Sequence, residues 1–207
     1  MRADALRNQE AVLAAAGRLF DAAVDPDEVS MDAIAAAAGV GKGTLFRRFG
    51  DRAGLVLALY ERRAEHLRTM TLRALSQGGL ASKDGPASQD GHDLEGGPAQ
   101  RALALLVATV RFKQANRVLT LALENDGSRS PYRTAAYEHW HRLLTALVIE
   151  ARGPEQADYL AHVLLGAVRS DLVEHLRPQS AQQWHEGLRA LVQGLLGSAG
   201  PAPRQQH

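Results

Sequence analysis

The stretch Ser30–Leu55 reads SMDAIAAAAGVGKGTLFRRFGDRAGL. Ser30 suits an N-cap, because its hydroxyl can accept from the unpaired N–H groups of a first helical turn, and Asp32 follows where the helix dipole favours an anion. A short helix is expected from Met31 to Ala38. Gly39 ends it, as the residue type most at ease in the left-handed conformation beyond a helix C-terminus. A second short helix starts after Gly41 and ends near Phe49; Gly50 stops it, and Asp51 caps a third, long one. Two short helices joined by a tight turn are helix-turn-helix geometry. The small side chains from Ala35 to Ala38 let the second helix cross closely over the first. Ile34, Val40, Leu45 and Phe49 then act as apolar pins against Phe20 and Leu55.

This pinning leaves Lys42, Gly43, Thr44, Phe46, Arg47 and Arg48 outside. The N-terminal residues of a recognition helix meet base edges in the major groove. Lys42 and Arg47 can donate to guanine O6 and N7, and Thr44 offers a hydroxyl or a methyl. Gly43 lets the backbone approach closely. Arg48, Arg52 and the Ser30 hydroxyl are suited to phosphate contacts, which set register rather than sequence. The run Gly39-Val40-Gly41-Lys42-Gly43-Thr44 is not a nucleotide-binding loop, since Gly43 separates lysine from threonine and a helix, not a strand, precedes it.

Charge is distributed to match. The chain carries 24 basic and 23 acidic residues, a formal net charge of +1, so global charge carries no signal. Locally, Asp21, Asp25, Asp27, Glu28 and Asp32 fall in a stretch without a base. From Ala33 to Gly50 there is no acid, while Lys42, Arg47 and Arg48 appear and Arg52 follows. A cationic edge on a near-neutral protein suits phosphate attraction over about one Debye length.

Over its 207 residues the chain has no cysteine, which excludes disulfides, thiolate metal sites and a cysteine nucleophile. No apolar run approaches the roughly 18 residues of a membrane span, and Met1 to Glu10 is too polar for a secretory signal. A cytoplasmic location is expected.

Apolar spacing is helical nearly throughout, so the fold class is all-α, with about nine helices. Helix one is expected over about 3–23 and is broken by Asp25-Pro26-Asp27. The long helix after Asp51 runs over 52–75. The segment 76–99 holds six glycines, two prolines and three serines and offers only Leu80 and Leu94 as large apolar groups. It reads as a flexible connection. Periodicity resumes at about Gln100, with a kink or break expected between Phe112 and Asn116. Further helices are expected to about Ala151, from Gly153-Pro154 to about Arg177, and over 181–196. Ser180 and Gln183 form a capping box for the last.

The stretch resembles the TetR family of bacterial transcriptional regulators. The matching residues are Ser30, Asp32 to Ala35, Ala38-Gly39-Val40, Lys42-Gly43-Thr44-Leu45-Phe46, Phe49 and Asp51-Arg52. Two departures stand out. Phe46 replaces a common tyrosine, so a hydroxyl-to-phosphate contact is lost. Val24-Asp25-Pro26-Asp27 replaces the glycine usual after helix one. The resemblance implies a three-helix DNA-binding domain over 1–52, with helix four connecting, and a ligand-binding and dimerisation domain over 53–200. It implies a repressor that binds a palindromic operator as a homodimer and is released by a small molecule. It implies neither a cofactor nor a metal nor catalysis. The alternative from composition alone is a helical-bundle enzyme holding an anionic substrate on the cationic patch, but no acid–base or metal constellation accompanies it.

Candidate pocket residues are Phe112, Leu119, Leu123, Tyr137, Trp140, Leu144 and Val163, few in aromatics and spaced to line a space between helices; core packing is the competing role. Glu124 and Asp171 sit in apolar surroundings. Each is either paired with an arginine such as Arg111, Arg117 or Arg169, or completed by a cationic effector. For dimerisation, Trp184, Leu188, Leu191 and Leu195 form one stripe, and Ala161, Leu165, Val168, Leu172 and Leu176 another. They pack either within the chain or across a two-fold axis in a four-helix bundle.

Overall fold

The computed structural model describes residues 2–76, 96–125 and 130–197. Among them there are ten α-helices and no strand: α1 (Arg2–Ala22), α2 (Met31–Ala38), α3 (Lys42–Phe49), α4 (Arg52–Ser76), α5 (Pro98–Ala115), α6 (Arg117–Asn125), α7 (Ala135–Arg152), α8 (Ala157–Gly166), α9 (Ser170–His175) and α10 (Ala181–Leu196). Short 3-10 turns cover Pro26–Glu28 and Pro131–Arg133. Most of the expected connection over 76–99 lies outside the described residues, as do 126–129 and 198–207.

The local signals act as their chemistry requires. Ser30 Oγ accepts from Ala33 N at 3.1 Å. Gly39 takes φ 65°, ψ 29°, a conformation that costs a residue with a β-carbon. Ser180 and Gln183 cap each other's backbone in a complete capping box. The break expected between Phe112 and Asn116 occurs at Asn116, whose side-chain amide donates to Phe112 O at 2.8 Å. The helix expected from Gly153 to Arg177 is divided in two. Arg169 adopts an extended backbone (φ −61°, ψ 147°) between α8 and α9, next to Gly166, a weak helix former.

The chain forms two compact units. The first comprises Met1–Thr69 and Arg111–Glu138. Its core gathers Val12, Leu13, Ala16 and Phe20 of α1, Ile34 and Ala35 of α2, Leu45 of α3, and Leu55, Val56, Leu59 and Tyr60 of α4. Val118, Leu119 and Ala122 of α6 join the same core, with Phe112 and Leu123 packed against it. Tyr60 meets Phe112 edge to face, ring centroids 5.6 Å apart. Burial, then the charges of Glu124 and Glu61, push the Tyr60 phenol well above its ordinary pKa.

Polar side chains tie these helices together. Arg63 donates to Asp21 at 2.9 Å, to Asn116 at 2.6 Å and to Gly17 O at 3.2 Å, joining α4 to α1 and to the α5–α6 junction. Arg68 donates to Glu61 at 2.7 Å and also to Glu65, while Glu61 accepts from Ala136 N at 3.1 Å. Burial opposes the charge on Arg68, but the hydrogen bonds and charges of Glu61 and Glu65 outweigh it and raise its pKa.

The second unit comprises Met70–Val110 and His139–His207. It buries Leu103, Leu106 and Val110 of α5, Trp140, Leu144 and Val148 of α7, Leu164 and Leu165 of α8, and Leu188, Val192 and Leu196 of α10. The last three recur every fourth residue and form one stripe. Arg101 pairs with Glu150, and Arg152 donates to Leu195 O at 2.8 Å.

The turn from α3 into α4 is tight. A β-carbon on Gly54 would overlap the carbonyl oxygen of Phe49 and lie 3.2 Å from its carbon and 3.3 Å from Asp51 Oδ1. Gly54 N also donates to that carboxylate at 2.6 Å. The obstacle is backbone, which cannot step aside without moving α3. Gly54→Ala is therefore expected to destabilise the protein by about 1–3 kcal/mol, read as a lowered urea midpoint with an unchanged m-value.

Candidate nucleic-acid interface

The outward face of α3 is set by what lies behind it. Leu45 and Ile34 are fully buried, and Val40 and Phe49 are partly buried against the same core. The eight residues of α3 make about two turns, so Leu45 inward places Lys42, Gly43, Phe46, Arg47 and Arg48 outward, and all five are exposed. Phe46 keeps 39% of its surface accessible, which is unusual for an aromatic ring with a core within reach. Gly43 has no neighbouring atom within 4 Å of where a β-carbon would stand. Nothing inside the chain requires glycine there, which fits a role in approach from outside. Thr44 is half-buried.

The polar environment divides the expected DNA contacts into groups. Lys42 Nζ lies 2.6 Å from Asp32 Oδ1, with both side chains largely exposed. Such a pair is weak in water and exchangeable. Arg48 bonds to Gln9 of α1, which steadies it across the edge of α3. Arg47 is exposed, and Asn8, Gln9, Val12, Thr44, Leu45, Arg47, Arg48 and Phe49 line a groove where α1 and α3 meet. Ser30 uses its hydroxyl as the cap of α2.

Arg52 behaves differently from the phosphate contact expected of it. Its side chain is part-buried, with Nε donating to Val29 O at 3.2 Å and a terminal nitrogen to Pro26 O. It clamps the start of α4 to the α1–α2 connection. The acids of that connection are also engaged locally: Asp25 accepts from Asp27 N at 2.8 Å and Glu28 from Val24 N at 3.0 Å. Three positioning residues were missed from sequence: Gln9, Gly54 and Arg63. Only Asp51, the cap beside Gly54, carried a local signal.

The nine candidate pocket residues are divided between the two units. Phe112, Leu119, Leu123, Glu124 and Tyr137 belong to the first unit, and Trp140, Leu144, Val163 and Asp171 to the second. Leu119 is core, and Phe112 and Leu123 pack on it, so packing accounts for all three. Tyr137 stacks edge-on against Tyr132 at 5.2 Å. Glu124 is paired with Lys113 at 3.1 Å, both side chains about 12% accessible. A lysine one turn before the α5–α6 break replaces the arginine partner expected. Asp171 is not on an apolar face: it is 62% accessible and paired with Arg169 at 3.1 Å. The break at Arg169 turned it outward. The Arg169 hydrogen bond holds its carboxyl below the ordinary pKa, against a smaller effect of burial.

The candidate dimer residues also separate. Leu165 and Leu188 are buried within the chain, Trp184, Leu191 and Leu195 are half-buried, and Leu172 is 37% exposed. Among the described residues no helix is long and apolar enough to cross a membrane.

Comparison with known proteins agrees with this geometry. Residues 12–59, from α1 into α4, match the family of bacterial regulatory proteins, tetR family. No curated protein sequence matches the chain. Among solved structures, a tetR-family transcription regulator assignment accompanies a chain from Shewanella sp. PV-4, 19% identical, covering 89% of this chain and 95% of that one with a TM-score of 0.54. The TetR transcriptional regulator SCO0520 from Streptomyces coelicolor is 24% identical, covering 92% of this chain and 99% of that one with a TM-score of 0.49. The matched segment contains the whole helix-turn-helix, from α2 through α3 into α4, and over these residues the chain is similar to the bacterial regulatory proteins of the tetR family.

Proposed function

We propose that this regulator is a repressor that binds a palindromic operator as a homodimer and leaves it when a small apolar molecule binds its C-terminal region. The observation that carries the DNA half is the outward set Lys42, Gly43, Thr44, Phe46, Arg47 and Arg48, held rigid by the burial of Leu45. Lys42 and Arg47 read bases; Arg48 and the backbone around Ser30 hold phosphate. Functionally, 1–52 is the DNA-binding domain and 53–200 the effector and dimer domain. An electrophoretic shift with the DNA upstream of its own gene tests the reading, with a shift resistant to competitor expected and its absence decisive against it.

For the effector, Trp140 and Leu144 on α7 with Val163 on α8 are the apolar candidates retained. Both acids that would have called for a cationic molecule already have cationic partners, Lys113 and Arg169, so positive charge is not required of it. Release follows from the effector's preference for one of two forms, and the loss of DNA affinity equals that differential preference. For the dimer, Leu172, Trp184, Leu191 and Leu195 keep accessible surface that a second copy would cover. The two recognition helices would then sit about 34–36 Å apart, one DNA turn.

Arg47→Ala and Lys42→Ala are each expected to cost about 1–3 kcal/mol at one base position per half-site and to relax preference there. This is read by titrating operator variants at fixed salt, and unchanged affinity in the double variant would remove α3 from recognition. Asp32→Asn is expected to tighten binding most to sequences that carry the base read by Lys42, by releasing that side chain. The clamp and the reader are told apart by stability. Arg52→Ala should lower stability by about 1–3 kcal/mol, having lost charged hydrogen bonds, whereas Arg47→Ala should stay within about 0.5 kcal/mol of the parent. Equal thermal midpoints for the two variants would contradict the clamp.

A further inference from the structure

Within the second unit, His141 of α7 and Asp158 and His162 of α8 converge. His141 Nε2 lies 3.2 Å from the Asp158 carbonyl oxygen and 3.5 Å from Asp158 Oδ1. His162 Nε2 lies 3.9 Å from Asp158 Oδ2. The two imidazoles stack, with centroids 4.0 Å apart and planes inclined by 30°. One ligand atom from each of the three residues lies within 4.8 Å of the others. Asp158 and His162 are four apart, so they share a face of α8, and the α7–α8 turn brings His141 to them.

We propose that His141, Asp158 and His162 bind a divalent transition metal of the zinc type. Two imidazole nitrogens and one carboxylate oxygen are the donor set such ions prefer, and one that magnesium and calcium do not. Tetrahedral zinc with bonds of about 2.0–2.1 Å holds its donor atoms about 3.3 Å apart. The observed separations of 3.5 Å and 3.9 Å are within small side-chain rotations of that value. A divalent ion held there would give the Asp158 carboxylate a counter-charge. Asp158 is 79% accessible and His162 43%, so water can complete the coordination. The ion would bridge α7 to α8 across a turn that includes two residues at positive φ, Gly153 at 92° and Gln156 at 61°, and so would stiffen that turn. The site is independent of the DNA face and stands or falls apart from the regulatory reading.

The test is a titration of chelator-treated full-length protein with Zn²⁺ against a chromophoric chelator, beside cobalt absorption and thermal melts with and without Zn²⁺. One Zn²⁺ per chain at micromolar affinity is expected, with no competition from excess Mg²⁺ or Ca²⁺. His141→Ala, His162→Ala and Asp158→Asn should each weaken binding at least about tenfold. Zn²⁺ should raise the melting temperature of the parent and not that of the His141→Ala/His162→Ala double variant. Asp158→Asn is isosteric and exposed, so it keeps the test sound if a histidine variant folds poorly. Zinc affinity unchanged in all three variants, or zinc displaced by magnesium, overturns the proposal.

Discussion

Leu45 is fully buried while Lys42, Gly43, Phe46, Arg47 and Arg48 of α3 face solvent, and the arrangement of the N-terminal unit depends on that one anchoring. A helix of eight residues is too short to persist in water by itself. Its stability comes from docking one apolar side chain, worth about 1.5–3 kcal/mol when fully buried, into the core lined by Phe20, Ile34 and Leu55. Once Leu45 is inserted, helical geometry dictates where Lys42, Phe46 and Arg47 point. The flanking turns need glycine for different reasons, backbone conformation at Gly39 and space at Gly54. Gly39 closes α2 in a left-handed conformation, and Gly54 passes against the carbonyl of Phe49.

Electrostatics refine this scaffold. Asp25 and Glu28 are engaged in capping backbone N–H groups, and Asp32 is held by Lys42. An exposed pair of this kind is readily traded for a phosphate or a base edge, because water already screens most of its attraction. The buried-side partners are not exchangeable in the same way. Arg63, shared among Asp21, Asn116 and Gly17, and Arg52, held by two backbone carbonyls, fix helices to one another, so their positive charge serves the fold.

Away from α3, the chain settles carboxylates with its own cations. Glu124 finds Lys113 and Asp171 finds Arg169. An acid in a largely apolar stretch is thus not by itself a mark of a ligand: Lys113, across the α5–α6 break, offsets the burial of Glu124, and Asp171 is exposed beside Arg169. On α10 the two candidate faces are likewise distinguished: Leu188, Val192 and Leu196 turn into the chain, while Trp184, Leu191 and Leu195 lie at the margin.

By itself the sequence determined the all-α class, the limits of α2 and α3, the capping box at Ser180, the break at Asn116 and the outward set on α3. These rest on interactions within a few residues: caps, dipoles, glycine conformations and the 3.6-residue repeat. Tertiary structure alone decided the rest, because it depends on groups brought together from distant positions. Arg52 lies 23 residues from Val29 O, and Arg63 lies 53 residues from Asn116. The convergence of Asp158 and His162 with His141 depends on the packing of α7 against α8, which no local spacing records. The division at Arg169 was hidden for the same reason. An apolar repeat runs unbroken through Leu165, Val168, Leu172 and Leu176, while the backbone turns between them and exposes Leu172 and Asp171. Periodicity records which side chains are apolar; only packing decides which of them find a partner inside the chain.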